Sequence, residues 1–408
     1  MTTAHGHSRG SIVLLGMLTK MPVAGVAWQV LHYLEGFRRL GFDAWYVEDH
    51  GRTPSMFVSD EGDDGCAGAA SFLASLLERF GFGDRWAFHA LHADGSWYGI
   101  SEVRARRLYR DAALIINLHG GTLPLPEHAA TGRLVFLETD PVQIQIEIHN
   151  GVQAAFDFLK PHSSFFTFAE NYGWPDCRLP VFESFGFRPT RQPVVLDYWP
   201  PGANGIEAPF TTVGNWRQPW RKIRFCGEVY HWSKHYEFLK LLELPSRTGQ
   251  AFELALSGSS FEAEDRRLLE DKGWRVRDAL EFSSDPDGYR AYITTSYGEF
   301  TVAKDQNVRL RTGWFSDRSA TYLAAGRPVI TQETGFSRSL PVGEGLLEFA
   351  TLDEAVAAVE RVRSDYQRHR RAARELAEEY FSHEVVLGSL LRELGLARPV
   401  RTRREAGR

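Results

Sequence analysis

The chain has 408 residues, of which 43% are hydrophobic and 13% are aromatic. This composition can bury a sizeable core, so it excludes an intrinsically disordered or low-complexity protein. At about 150 residues per domain, the length predicts two to three domains. The 47 basic and 52 acidic residues give a formal charge of −5, which offers no support for electrostatic binding of nucleic acid.

The chain has three cysteines, Cys66, Cys177 and Cys226, and none of them forms a Cys-x-x-Cys pair. An odd and sparse set is typical of a reducing compartment and argues against a cysteine-based metal site. The early apolar run at 11–18 is much shorter than the roughly 20 residues that span a bilayer. We therefore expect a cytoplasmic protein without a transmembrane segment.

The first half of the chain alternates short apolar runs with amphipathic segments. The run 11–15 predicts a buried strand, and apolar residues over 26–37 recur at the spacing of a helix. With a strand over 44–49 they predict a βαβ unit, and hence a parallel sheet covered by helices. The same patterns predict a helix over 69–80 and strands over 113–118, 134–138 and 165–168.

A dense group of prolines and glycines at 187–210 predicts a connection between two domains. After it the alternation starts again with a strand over 211–214. Asp353 is the predicted N-cap of a long helix, and charged helices close the chain to about Leu394. The other elements of this half are strands over 252–256, 274–276, 328–331 and 347–350, and helices over 263–272, 286–293 and 319–325.

The most informative segment, 313–336, reads GWFSDRSATYLAAGRPVITQETGF. Ser316, Asp317 and Ser319 are residue types that start helices, and a helix start presents unpaired N–H groups and a partial positive charge. Both suit a diphosphate, and Arg318 adds a charged fork for phosphate oxygens. The alternative for these residues is a capped helix with a surface arginine.

The order of motifs in this half resembles the donor-binding half of GT-B glycosyltransferases. The run YLAAGRPVI at 322–330 is similar to their Gly-x-Pro-Val strand entry, and Thr334-Gly-Phe and 341–347 follow as their glycine-rich loop and xGxxGLL segment do. The strand, loop and helix at the start of the chain are similar to their acceptor domain. The resemblance implies an α/β protein with two Rossmann-like domains facing each other across a cleft.

This resemblance also implies a different role for each of three successive parts of the chain. Residues 1–200 would form the acceptor-binding domain and 201–375 the nucleotide-sugar donor-binding domain. Residues 376–408 would supply a C-terminal helix that packs back toward the N-terminal domain, followed by a basic tail. The chain looks like a divergent bacterial member, a hexosyltransferase-like enzyme that needs no metal or cofactor and uses the nucleotide sugar as co-substrate.

On the donor side, the resemblance places Lys304 near the donor phosphates, where an ammonium group would offset the charge of a leaving diphosphate. Ser233 and Lys234 stand at a helix start that would also meet phosphate. Gly335 and Phe336 would touch the donor sugar or base. A solvated lysine and a capping serine are the alternatives for the lysines and for Ser233.

On the acceptor side, three loops at strand ends are predicted to face the same cleft. Pro22 and Gly25 allow close approach of a ligand in the first loop, and Gly120 follows His119 in the second. The third loop contains Asp140. Direct displacement needs a base for the acceptor hydroxyl, and Asp140 and His119 are the candidates. An Asp-Pro turn and a structural histidine are the alternatives.

The sequence also departs from the pattern of many retaining GT-B enzymes. Their two glutamates correspond to Gly313 and Thr321 here, so retention or inversion stays open. A nucleotide-sugar epimerase of the same fold is one alternative function. A binding protein that has lost catalysis is another, favoured by the missing glutamates and opposed by Lys304, Ser316 and Arg318. The sugar, the base, the acceptor (a small molecule or a glycan) and the oligomeric state are left open.

Overall fold

Two largely parallel β-sheets organise the chain, and the computed structural model describes residues 8–202, 207–257 and 261–397. The strands of the first sheet are β1 (Ser11–Leu15), β2 (Asp43–Glu48), β3 (Trp86–His89), β4 (Trp97–Gly99), β5 (Leu114–Leu118), β6 (Leu134–Glu138), β7 (Ser164–Thr167) and β8 (Arg188–Pro189). Their spatial order is β4-β3-β2-β1-β5-β6-β7-β8, and β4 runs antiparallel to β3. The central strands are buried on both faces, as a parallel sheet between helices requires.

The second half of the chain builds its own sheet. Its strands are β9 (Phe210–Gly214), β12 (Phe252–Leu256), β13 (Arg275–Asp278), β14 (Gly298–Thr301), β15 (Val329–Gln332) and β16 (Leu346–Phe349). They lie in the order β13-β12-β9-β14-β15-β16, and all pairs are parallel. Between β9 and β12 the chain forms a separate antiparallel hairpin, β10 (Lys222–Phe225) and β11 (Glu228–His231).

Helices cover the faces of both sheets. In the first half they are α1 (Ala24–Arg39), α2 (Cys66–Arg79), α3 (Glu102–Asp111), α4 (Pro126–Ala129), α5 (Gln143–His149) and α6 (Gln153–Leu159). In the second half they are α7 (His235–Phe238), α8 (Leu244–Thr248), α9 (Ala263–Asp271), α10 (Leu280–Ser283), α11 (Pro286–Thr295), α12 (Asp305–Leu310), α13 (Asp317–Ala324), α14 (Leu352–Ser364), α15 (Tyr366–Leu376) and α16 (His383–Glu393).

Helix α1 joins the two halves of the molecule. Almost every side chain from Ala24 to Phe37 is buried, because other elements pack on all sides of the helix. The indole N–H of Trp28 donates to the Pro286 carbonyl at 2.9 Å, where α11 begins. Helix α16 approaches so closely that a Cβ at Gly36 would lie 2.6 Å from Leu387 Cδ1. The chain therefore returns at its end to cover its first helix.

The observed elements differ from the predicted ones at several places, and β3, β4, β8, α3, α4, α5, α6, α8, α10 and α12 were not predicted. The helix predicted from Asp353 begins at Leu352, and its N-cap is Thr351, whose hydroxyl accepts from the Glu354 N–H at 3.3 Å. Asp353 instead pairs with Arg247 at 2.6 Å. The hairpin β10–β11 was not predicted. The predicted boundary at residues 200 and 201 falls in the connection before β9, and the basic tail from 398 lies outside the described residues.

Candidate active site

The carboxyl ends of the two sheets line one cavity of about 350 Å³. In open α/β sheets ligands bind at this edge, where strand ends and helix starts expose free polar groups. The loops after β1 and β6 form one wall, and the loops after β9, β12 and β14 form the other with the start of α13. The predicted site residues that line it are Gly25, Asp140, Lys234, Lys304, Ser316, Asp317 and Arg318.

A contact between Asp140 and the opposite wall crosses the cavity. Lys304 Nζ lies 2.7 Å from Asp140 Oδ2, and the indole N–H of Trp232 donates to the same oxygen. The Lys304 ammonium also lies 3.6 Å from the centroid of the Trp232 ring, a cation–π contact. The other carboxylate oxygen, Oδ1, is buried and has no hydrogen-bond partner within the described ranges. One oxygen of Asp140 is thus engaged and the other is free.

Two lysines stand together on the wall formed by the second sheet. Lys234 Nζ donates to Thr301 Oγ1 at 3.3 Å and forms no ion pair in the described part of the chain. Burial lowers the pKa of Lys234 well below its usual value, and the positive charge of Arg318 adds to the effect. Burial also lowers the pKa of Lys304, although the Asp140 carboxylate opposes this shift. Both shifts express the cost of enclosing positive charge with too little negative charge nearby.

The start of helix α13 faces the same space. Ser316 occupies the N-cap position, but its side chain makes no capping hydrogen bond, so the first-turn N–H groups are not satisfied by it. Asp317 is the first residue of the helix, and burial raises the pKa of its carboxyl group. A helix start next to two lysines gives this wall a positive potential suited to an anion.

The guanidinium of Arg318 forms hydrogen bonds to three neighbouring groups of the second sheet. Its Nε lies 2.5 Å from Glu299 Oε1, one terminal nitrogen donates to the Val213 carbonyl at 2.5 Å, and the other donates to Thr301 at 3.1 Å. Although burial opposes the charge, the fully buried Glu299 carboxylate contributes to a raised pKa of Arg318. Arg318 lines the cavity, but three of its donors are already occupied.

Several predicted site residues lie beside the cavity rather than in its lining. Ser319 and Phe336 are fully buried, and Phe336 packs on Phe315 with ring centroids 5.4 Å apart. Ser233 accepts from the Gln218 N–H at 2.7 Å and thereby shapes the loop before Trp232. Gly335, Gly120 and Pro22 belong to adjacent loops and are also absent from the lining. Their assigned roles stay predictions.

His119 reaches the cavity only through Thr139. Its Nδ1 lies 2.8 Å from Thr139 Oγ1, and Thr139 lines the cavity. Burial lowers the pKa of His119 to about 4, although the Asp140 charge acts in the opposite direction. The residue has a positive φ of 63°, a strained conformation at the turn after β5. His119 is therefore neutral at pH 7 and supports the loop that carries Asp140.

The sequence did not single out several residues of the lining. Trp314 donates from its indole nitrogen to the Thr139 carbonyl at 3.0 Å and so crosses the cleft. Tyr289 on α11 approaches Gly25 of α1, where a Cβ would lie 3.5 Å from the tyrosine hydroxyl. Asn215 and Ser257 follow β9 and β12. The strand-end rule alone would have found the last two residues, because each directly follows a predicted strand.

Two further findings concern the described residues as a whole. No group of three or more His, Cys, Asp and Glu side chains in them is arranged to hold a metal ion. In the same residues no helix combines the length and apolar composition needed to cross a membrane.

Comparisons with known proteins identify the fold. No protein-family model matches the sequence, and no curated protein is similar to it at a significant level. Sucrose-phosphate synthase from Thermosynechococcus elongatus has a TM-score of 0.51 at 12% identity, over 95% of this chain and 99% of that one. HepE from Anabaena, in complex with UDP and glucose, has a TM-score of 0.56 at 10% identity, over 95% and 99%.

A third similar structure is an alpha-glucosyltransferase in complex with UDP and a DNA 13-mer, with a TM-score of 0.51 at 10% identity over 94% and 98%. At such identities the likeness concerns the fold. It confirms the predicted α/β class with two Rossmann-like domains facing each other across a cleft. The chain has the fold of GT-B glycosyltransferases, and its cavity lies where the two domains meet.

Proposed function

We propose that this protein transfers a sugar from a nucleotide-sugar donor to the hydroxyl group of an acceptor. The observation that carries the proposal is Lys234, a lysine enclosed in the cavity wall without an ion pair among the described residues. Lys234 is half-buried, and although the charges of Glu299 and Asp317 attract its ammonium group, burial still disfavours the charged form, so an additional anion would stabilise it. Lys304 and the start of α13 stand beside it, which is the arrangement a diphosphate requires.

In this proposal the second sheet holds the donor. The two lysines and the N–H groups of α13 neutralise the diphosphate, so the reaction needs no metal. HepE and the alpha-glucosyltransferase are both described in complex with UDP, which makes UDP the first nucleotide to test. Asn215 and Ser257 line the same wall and offer hydrogen bonds to the nucleoside.

The first sheet holds the acceptor, and Asp140 receives its proton. The acceptor oxygen attacks the anomeric carbon while the bond from that carbon to the diphosphate breaks. The bonding electrons leave with the diphosphate, and the hydroxyl proton passes to the carboxylate of Asp140. When the diphosphate attracts Lys304, the carboxylate loses its positive neighbour and becomes a stronger base. His119 supports the step through Thr139 and does not touch the acceptor.

The test is ligand binding to the purified protein. We expect one of UDP, dTDP, GDP, ADP or CMP to raise the melting temperature, because a ligand that binds only the folded state stabilises it. Lys234→Ala should weaken that nucleotide by about tenfold to a hundredfold, the scale of a lost charged hydrogen bond. The matched control is Lys160→Ala, an exposed lysine of the first half, which should bind normally.

No melting shift with any nucleotide would contradict the proposal. An equal loss of affinity in Lys234→Ala and Lys160→Ala would contradict the assigned donor site. Product analysis with the matching nucleotide sugar then separates the possible activities. Isomerised donor without an acceptor would indicate an epimerase, and binding without any turnover would indicate a protein that has lost catalysis.

A further inference from the structure

Four large apolar side chains are exposed on the edge of the first sheet that adjoins the cavity. They are Met21, Met56, Leu91 and Leu123, with 39%, 56%, 43% and 69% of their surface exposed. Single exposed apolar residues are ordinary on a protein surface, whereas several on one edge next to a binding cavity mark an interaction site. The four residues come from the loops that follow β1, β2, β3 and β5.

Contacts join the four loops that carry these residues. Lys20 Nζ donates to Ser55 Oγ at 3.1 Å, which joins the loop of Met21 to that of Met56. Arg52 Nε donates to the Gly121 carbonyl at 3.2 Å, two residues before Leu123. A Cβ at Gly51 would lie 3.5 Å from Leu91 Cβ.

Two basic side chains, Lys20 and Arg52, belong to these loops, and the exposed acidic residues Asp60, Glu61, Asp63 and Asp64 follow Met56 later in its loop. Lys20 and Arg52 hydrogen-bond to loop oxygen atoms, and neither forms an ion pair within the residues that the structure describes. Met21, the neighbour of Lys20, lines the cavity itself together with Val23 and Val26. Met21 thus belongs both to the exposed surface and to the lining of the cavity that contains Asp140.

We propose that this surface, which we call the acceptor edge (Lys20, Met21, Arg52, Met56, Leu91 and Leu123), binds an amphiphilic acceptor. Its apolar body lies on the methionine and leucine side chains, and an anionic group lies between Lys20 and Arg52. The hydroxyl group that receives the sugar enters the cavity past Met21. The inference rests on the proposed glycosyl transfer and specifies the acceptor class for it. A free sugar would leave the apolar side chains uncovered.

The probe is decyl phosphate, kept below its critical micelle concentration and titrated by calorimetry in the presence of the nucleotide that binds. We expect saturable binding, and binding of inorganic phosphate at least tenfold weaker. Leu123→Glu should weaken decyl phosphate about tenfold or more, because it removes an apolar contact and adds a repelling charge. Lys20→Gln should weaken decyl phosphate more than decyl glucoside, which carries no charge.

The matched control is Leu268→Glu, because Leu268 is a similarly exposed leucine on α9 of the second half, 37% exposed. The control variant should bind decyl phosphate as the unmodified protein does. Equal losses in Leu123→Glu and Leu268→Glu would overturn the proposal. Absence of saturable binding to the unmodified protein, with nucleotide binding intact, would overturn it without touching the proposed function.

A membrane surface is the competing occupant. Co-sedimentation with vesicles of phosphatidylcholine and phosphatidylglycerol that is lost in Leu123→Glu, without saturable binding of monomeric decyl phosphate, would overturn the proposal in favour of a membrane-facing edge. Decyl phosphate binding without any nucleotide binding would overturn the acceptor role, because the failure would then lie with the proposed function.

Discussion

Asp140 contacts Lys304, the lysine that the proposed function also assigns to the donor diphosphate. Its Oδ2 is engaged by Lys304 and Trp232, while its Oδ1 is buried without a partner in the described residues. A buried oxygen without a donor is unfavourable by about 1–3 kcal/mol, and an incoming hydroxyl group would relieve that cost. In the proposed reaction Lys304 pairs with either the carboxylate or the diphosphate, so the proposal couples donor binding to activation of the base through one ammonium group.

Replacing Asp140 by asparagine should separate proton transfer from nucleotide binding. Asp140→Asn keeps the size of the side chain but cannot accept a proton, so kcat should fall about a hundredfold or more. Nucleotide affinity should stay equal or increase, because Lys304 loses its competing carboxylate. Initial rates and calorimetric titration of the nucleotide measure the two effects. Asp157→Asn, an exposed residue of α6, is the control, and a normal kcat in Asp140→Asn would refute the assignment of the base.

At the scale of elements, the hairpin β10–β11 is the part that crosses between the two halves. It belongs to the second half, yet Ile223, Phe225 and Tyr230 pack in one cluster with α5 of the first half. The Asn150 side chain donates to the Arg224 carbonyl at 3.1 Å. The hairpin ends directly before Trp232, so its position fixes the indole that holds Asp140.

We therefore expect substitutions at Trp232 to raise the amide exchange rates of the hairpin to different degrees. Trp232→Phe keeps an aromatic face for Lys304 and loses only the indole N–H, so it should raise the exchange rate of the hairpin amides slightly. Trp232→Ala also loses the cation–π contact, and exchange should rise much more. Hydrogen exchange followed by mass spectrometry measures both. Trp220→Ala is the control, since Trp220 is 68% exposed just before the hairpin. Equal exchange in all three variants would refute the inference that the contacts of Trp232 with Asp140 and Lys304 hold the hairpin in place.

The elements show why some features were predictable and others were not. Strands such as β6 and β12 are apolar runs with one glutamate each, Glu138 and Glu253, and their bounds matched the prediction from the sequence. The strands of the hairpin have four residues each, and β10 alternates between exposed and buried. The two residues of their turn, Cys226 and Gly227, both have a positive φ, but Cys-Gly is not one of the dipeptides typical of such a turn. The hairpin also packs on α5, more than 70 residues earlier in the chain, and no local pattern encodes that contact.

The site residues also fall into those that the sequence could predict and those that depend on packing. Asp140, Lys234 and Lys304 were found because they follow strands or start helices, and the carboxyl edge of a sheet is set by its topology. Ser319 lies two residues after Asp317 on α13, yet it is fully buried while Asp317 faces the cavity. Which side of a short helix faces a ligand depends on how the helix packs, and the sequence pattern alone did not decide it.

At the scale of the whole molecule, buried histidines make stability depend on pH. Burial lowers the pKa of His119, His162 and His235 to about 4 and that of His32 to about 3, from 6.5. Below pH 6.5 the unfolded chain takes up protons that the folded protein does not, so acid favours unfolding. Glu138 acts oppositely, because burial raises its pKa from 4.5 to about 8 and its contribution is lost as pH rises.

The histidines whose pKa burial lowers, these four with His369 and His383, outnumber the carboxyl groups whose pKa burial raises, Glu138, Glu170 and Asp317. The free energy of unfolding should therefore fall as the pH is lowered from 7 to 5. Urea denaturation at several pH values measures this slope. His162→Gln should reduce the slope, because it removes one group whose protonation differs between the two states. His149→Gln, at an exposed histidine of α5, should leave it unchanged. A flat profile between pH 7 and pH 5 would show that these histidines are accessible to protons in the folded state.

The return of α16 onto α1 has a consequence for folding during synthesis. The face of α1 that includes Gly36 is covered by His383 and Leu387 of α16, which are translated after all the strands of both sheets. The first half of the chain therefore leaves the ribosome with an apolar helix face that stays uncovered until α16 follows. Because transiently exposed apolar surface favours aggregation and degradation, we expect a variant without α16 to be cleaved faster by proteases than the unmodified protein.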